Sequence, residues 1–257
     1  MHYQMWIWSK FENVIAHFLI AMMEELIILY YVLFYMFLLM YYHYNNIISY
    51  KEVAYMGKIK LLHGSDHIIE KPDLLLGKTN NDYGRGFYCT QELSMAMEWA
   101  CKKNSDGFVN KYVLEQDSLN ILNLLDGKYN ILHWMALLLK NRTFRLSNEI
   151  AIDACDYIIE NFSIDLKAYD VIIGYRADDS YFSFAESFVQ NGLPLRSLNE
   201  ALHLGRLGTQ TVLISEKSFR NLTFDGADFA DKTVYYPKFI ARDSNVRETY
   251  RREIRNR

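Results

Sequence analysis

Cysteine is scarce. The 257 residues hold three, Cys89, Cys101 and Cys155, an odd number at irregular spacing. That excludes a disulfide scaffold of the secreted kind, offers no paired ligands for zinc, and fits a reducing compartment. His63 and His67 stand four apart, but Gly64 and Ser65 between them spoil a helical metal-binding pair, so no metal is expected. A surplus of one charge is also missing. With 28 Lys and Arg against 31 Asp and Glu the formal charge is -3, which gives no global pull toward nucleic acid or membrane. The start carries neither a basic segment nor a small-residue cleavage site and so does not read as a signal peptide. Repeats and low-complexity tracts are absent beyond an apolar head.

Apolar and aromatic side chains are what the chain has in excess, 51% and 15%, and the excess sits mostly at that head. Leu26 to Tyr42 is a run of seventeen apolar or aromatic residues, at the short end of the roughly 17–25 residues a membrane span needs. Glu24 and Glu25 lie at its edge, and no Lys/Arg cluster flanks it to set an orientation. Residues 1–55 therefore read as an apolar N-terminal extension with three open interpretations: a membrane anchor, a helix that packs or binds a partner, or a segment outside the natural product. Met56-Gly57-Lys58-Ile59-Lys60 makes a sensible start for a globular domain.

From Met56 onward the pattern is mixed α+β. Lys58 to His63 alternates polar and apolar, as a strand does, and Glu70 to Tyr83 is loop. Asn81 to Thr90 organises the rest of the domain: Gly84 and Gly86 permit an unusual backbone and close approach of a ligand, and Phe87-Tyr88 favours a strand. Thr90 reads as the N-cap of a helix over Gln91 to Lys102. Strands are expected at Phe108–Leu114 and Leu119–Leu125. Two apolar helices, Tyr129–Lys140 and Asn148–Asn161, read as a helical insertion serving core burial, with Ile152, Cys155, Ile158 and Ile159 inward. Asp170–Tyr175 is a buried strand, Tyr181–Gln190 and Leu198–Leu204 are helices closed by Asn191-Gly192 and Gly205, and Thr209–Ile214 is a strand with Leu222–Phe224 as a neighbour. The expected domains are 56–225 and a basic tail, 226–257, whose Arg247, Arg251, Arg252, Arg255 and Arg257 share a helix. That helix is either a solvated face or a surface for nucleic acid, an acidic partner or anionic lipid.

Three separated pieces line up: His63-Gly64-Ser65 at a strand end, Gly84-Arg85-Gly86-Phe87-Tyr88, and Leu207-Gly208-Thr209-Gln210-Thr211 opening a late strand. Their order and spacing from Met56 to Phe224 resemble the ADP-ribosyltransferase fold of the His-Tyr-Glu type, the diphtheria-toxin and poly-ADP-ribose-polymerase branch. More closely, the chain is similar to a bacterial ADP-ribosyltransferase-like family, domain of unknown function 3990, often encoded beside small partner proteins. The resemblance implies a split β-sheet core, NAD as substrate, and a toxin-like mono-ADP-ribosyltransferase acting on a macromolecular acceptor, with a neighbour-encoded antitoxin or partner protein. By the same resemblance His63 would hold the adenosine ribose, the Gly64 main chain the nicotinamide amide, and Tyr88 the nicotinamide ring. Ser65 would add a contact and Arg85 would meet the pyrophosphate, with Gly86 and Phe87 in the same wall.

The chemistry explains the residue types. Cleaving the nicotinamide–ribose bond builds an oxocarbenium-like ribose, as in glycoside hydrolysis, and a flexible dinucleotide must be held in one geometry for it. The departure is Gln210, which stands where the transferases place a Glu. A Gln orients a hydroxyl but cannot act as general base or oppose a cation by charge. Asp178, Asp179 and Glu186 are candidates for a carboxylate from elsewhere, with Tyr181 and Phe182 in the same cleft; equally, Asp178 or Asp179 simply caps a helix. The alternative function is a non-catalytic NAD- or ADP-ribose-binding module. A third is a membrane-attached interaction protein, if residues 26–42 span; otherwise the expected location is cytoplasmic.

Overall fold

Residues 34–36, 57–177, 179–202 and 209–252 are described by the structure, a computed structural model. The chain divides into two units, Met1–Met56 and Gly57–Arg257. Of the apolar run at Leu26–Tyr42 only 34–36 are described; they are helical and exposed, and the rest of the run lies outside the described residues. Among the described residues no helix is long and apolar enough to cross a membrane.

The second unit is α+β, built on two sheets. β1 (Lys58–Ser65) pairs antiparallel with β3 (Gly107–Glu115), from Lys58 opposite Glu115 to Ser65 opposite Phe108. β7 (Leu222–Ala230) pairs antiparallel with the other edge of β3 across a bulge at Lys111. Leu222–Phe224 therefore joins β3 rather than the Thr209 strand, and the strand runs on to Ala230. The second sheet has the order β2-β6-β5-β4, with β2 at Phe87–Cys89, β6 at Thr209–Leu213, β5 at Val171–Tyr175 and β4 at Ile121–Asn123. β6 is antiparallel to both of its neighbours, whereas β4 and β5 are parallel. One bridge between Leu62 and Thr90 links the sheets, Leu62 N–H to Thr90 O at 2.8 Å and Thr90 N–H to Leu62 O at 2.9 Å.

A parallel pair needs a long crossover. Here it is the two apolar helices, α2 (Ile131–Asn141) and α3 (Glu149–Phe162), capped by the Asn130 and Asn148 side chains. They are thus part of the sheet's topology, not an insertion hung outside it. In α3 the inward positions are Ala151, Cys155 and Ile158, while Ile152 is 47% exposed, contrary to its expected burial. The Thr90 cap is also displaced. Thr90 accepts the Glu92 N–H at 3.1 Å, a short turn, and α1 (Leu93–Ala100) begins after Glu92 with no side-chain cap.

Three apolar clusters hold these layers. Leu61, Phe87, Tyr112, Leu114, Val171 and Leu213 fill the space between the sheets, each side chain of this size contributing about 1.5–3 kcal/mol when fully buried. A larger cluster, with Trp134, Leu138, Ile172 and Tyr181, lies between the second sheet and the helices α2, α3, α4 (Asp179–Val189) and α5 (Leu195–Leu202). A third, including Ala96, Ala100, Val109 and Ala230, seats α1 on the first sheet. A short helix α6 (Glu216–Arg220) leads into β7.

The helix of the basic tail is fastened to the domain along one side, while Arg251 and Arg252 are exposed. α7 (Lys232–Tyr250) is fastened by Arg242 to Glu98 at 2.6 Å, by Ser180 Oγ donating to Asp243, by buried Val246, and by Tyr250 against Phe184. Arg255 and Arg257 lie outside the described residues.

Candidate functional site

Where β1 ends, the pleat decides which groups are offered. Leu62 turns both its N–H and its C=O to Thr90, so alternation turns those of Gly64 the same way, away from β3. The glycine itself is required for another reason. A Cβ there would stand 2.2 Å from Ala96 O and 2.6 Å from Ala100 N, so its absence lets α1 lie on the strand.

His63 stacks on Phe87 with ring centroids 4.3 Å apart, and its Nδ1 is 2.7 Å from Tyr88 O. A carbonyl only accepts, so Nδ1 carries the proton and Nε2 of the neutral ring is left as an acceptor. Burial pushes the His63 pKa below its ordinary value and outweighs the bond to Tyr88, which acts the other way. The loop beyond it is held by Asn110, a fully buried residue of β3. Its Nδ2 donates to Ser65 Oγ at 3.0 Å and His67 O at 3.2 Å, and its Oδ1 accepts from Ile69 N at 2.7 Å. Ser65 is spent on that loop.

β2 is entered through Gly84, whose φ of 77° lies in the region open to glycine. Tyr88 reaches back to pin this turn: its hydroxyl donates to Gly84 O at 2.7 Å and accepts the Tyr83 N–H at 3.0 Å. The ring is thereby fixed before any ligand arrives.

On β6, Gln210 is 3% exposed and its Nε2 donates to Asp82 Oδ2 and to Tyr175 O, both at 3.1 Å. Asp82, 7% exposed, accepts further from Ala177 N at 2.9 Å on Oδ2 and pairs through Oδ1 with Arg142 Nη1 at 2.8 Å. Arg142 in turn lies over the Phe182 ring, 4.5 Å from its centroid.

His63, Tyr88, Gln210, Asp82 and Arg142 meet on one cavity of about 870 Å³. Of the residues expected at the site, His63, Gly86, Phe87, Tyr88 and Gln210 line it. Gly64, Ser65, Arg85 and Tyr181 do not; Arg85 is exposed, and Tyr181 is buried in the core against Phe184. Asp178 lies outside the described residues. Glu186 is engaged elsewhere, accepting the Arg145 N–H at 3.2 Å. Sequence reasoning misses Asp82, Asn110, Arg142 and Trp99. Asp82 sits inside the glycine-containing run, where an Asp before Tyr-Gly passes for a turn residue. Trp99 lines the cavity under Arg176, whose guanidinium is 4.4 Å from the Trp99 ring centroid, and its Nε1 is buried without a hydrogen-bond partner.

The lining is cationic although the chain is acidic. Among the described residues, Lys71, Lys78, Lys102, Lys103, Arg142 and Arg176 share it with three carboxylates, Asp73, Asp82 and Glu98. A concave surface of one sign concentrates ligands of the other. Cys89, Cys101 and Cys155 are buried free thiols, and burial pushes each pKa up, so none is an activated nucleophile.

Fold and site thus define an α+β domain of two small sheets with a cationic, ligand-sized cavity. The chain matches the family described as "Protein of unknown function (DUF3990)" over residues 59–224 and belongs to it. No curated protein and no solved structure matches the chain.

Proposed function

We propose that this chain is a mono-ADP-ribosyltransferase that consumes NAD and transfers ADP-ribose to a macromolecular acceptor. One observation carries the reading: His63, Tyr88 and Gln210, on three different strands, converge on a single cavity whose lining is net positive. Its volume suits a dinucleotide, since ligand pockets run from about 300 to 1,000 Å³. The lysine rim suits an anionic pyrophosphate. The fixed ring of Tyr88 offers a flat apolar face for nicotinamide, and Nε2 of His63 offers an acceptor to a ribose hydroxyl. A small partner protein acting as antitoxin belongs to this reading through the family resemblance alone.

The test is nicotinamide release from NAD by the full chain, with and without cell lysate as acceptor pool, beside Tyr88→Ala. Release that depends on lysate and is lost in Tyr88→Ala supports a transferase; release without lysate makes water the acceptor. A second reading, a module that binds NAD or ADP-ribose without turnover, is favoured by Gln210, whose two amide hydrogens are both spent on Asp82 and Tyr175. It prevails if NAD raises the melting temperature and no nicotinamide appears.

A further inference from the structure

We infer that Asp82 supplies the carboxylate that position 210 lacks: it binds the nicotinamide ribose and opposes the positive charge that develops on it. This rests on the transferase reading above. Placement is the first support. The Asp82 carboxylate lies one hydrogen bond, 3.1 Å, from the Gln210 amide and lines the same cavity as His63 and Tyr88. A side chain from the β2 loop therefore brings negative charge to the point where a longer acid on β6 would have brought it.

The carboxylate is also held for the purpose. Arg142, Ala177 N–H and Gln210 Nε2 fix it from three directions. A charge held by preformed dipoles need not reorganise during the reaction, which is where electrostatic catalysis gains most. The two oxygens of a carboxylate offer about four acceptor positions. Three are taken by these donors, and the fourth is left for a ribose hydroxyl. In the plainer account Asp82 only fastens its loop to Arg142, Ala177 and Gln210, and the variants below separate the two accounts. Gln210, a buried amide on β6, spends one donor on Asp82 and the other on Tyr175 O. Of the other two carboxylates in the lining, Glu98 is committed to Arg242 at 2.6 Å, and Asp73 caps the Leu74–Leu76 turn.

In the step itself the bond between ribose C1′ and the pyridine nitrogen breaks, and its electron pair leaves with nicotinamide, which departs neutral. Positive charge spreads over C1′ and the ring oxygen, facing Asp82. The acceptor nucleophile, or water in hydrolysis, bonds to C1′ from the opposite face and releases its proton to solvent. Gln210 is a positioning residue: it orients Asp82 without touching the reacting atoms.

The experiment compares NAD turnover by the full chain, Asp82→Asn, and the double variant Asp82→Asn with Arg142→Gln, which leaves no guanidinium without its partner. Asp82→Asn keeps the shape and removes the charge. The expected result is a loss of about 100-fold or more in kcat, with KM for NAD within about threefold of the parent. The double variant shows the same loss with a melting transition intact, so the effect survives if the single variant folds poorly. If either variant that folds keeps kcat within about threefold of the parent, the assignment of Asp82 is overturned and the transferase reading stands. If the parent chain releases no nicotinamide at all, the transferase reading falls and takes this assignment with it.

Discussion

Nδ1 of His63 donates to the main-chain carbonyl of Tyr88 at 2.7 Å, tying the end of β1 to the middle of β2. Burial is the larger influence on this imidazole and lowers its pKa from the ordinary 6.5; the Tyr88 bond favours the charged form, and His67 adds to the lowering. Below pH 6.5 the unfolded chain therefore takes up a proton that the folded chain refuses, so stability rises with pH. The contribution is complete above 6.5 and is lost as pH falls through the folded value. Urea midpoints measured between about pH 7.5 and 5.5 should fall more steeply for the parent than for His63→Gln.

Gly64→Ala places a methyl carbon 2.2 Å from Ala96 O and 2.6 Å from Ala100 N, both backbone atoms of α1. Neither neighbour is the movable end of a side chain, so the helix must lift from β1. The expected cost is about 1–3 kcal/mol or more, read as a lower urea midpoint at unchanged slope.

Tyr88→Phe removes the hydroxyl that holds both Gly84 O and Tyr83 N–H and leaves the ring in place. Two lost hydrogen bonds cost about 1–3 kcal/mol together, with faster amide exchange at Tyr83. If the ring is the nicotinamide platform, the melting-temperature rise produced by NAD persists in Tyr88→Phe and disappears in Tyr88→Ala.

Reversing the rim charge should weaken anion binding without touching the core. Lys71→Glu combined with Lys103→Glu is expected to raise the Kd for ADP-ribose by about tenfold or more at low ionic strength. The difference between parent and variant should shrink as salt is added, because exposed charges are screened within about 10 Å at 0.1 M. Isothermal titration at two salt concentrations reads both effects. An unchanged Kd would remove the lysine rim from the binding site.

Local signals are legible in this sequence and long-range ones are not. Asn148 can be read as the start of a helix because a cap acts over three residues, and Val171–Tyr175 as buried because the whole segment is apolar. Nothing in Leu222–Phe224 says that its partner is Leu114 to Tyr112 rather than the strand just before it, since both are apolar and antiparallel. The parallel union of β4 and β5 is hidden for the same reason. His63, Tyr88 and Gln210, singled out through motif order, line one cavity. Gly64 reads, by resemblance, as a main-chain contact for the ligand, while in the fold its missing side chain leaves room for α1. Tyr181 looks like a cleft residue from its neighbours in sequence, yet helical phase turns it into the core. Asp82 escapes because its partners, Arg142, Ala177 and Gln210, all lie more than fifty residues from it.

The order of strands in the second sheet bears on how the protein is made. β2, which carries Tyr88, is hydrogen-bonded into that sheet through β6, and β6 also carries Gln210. On the ribosome, everything up to β5 can emerge while β2 still has no ladder partner in its own sheet. Likewise β3 waits for β7 to cover its second edge. A chain interrupted before Leu213 thus lacks the wall that unites His63, Tyr88 and Gln210. The cavity comes into being only once β6 has been made, and a product cut short before it carries His63 and Tyr88 without the site.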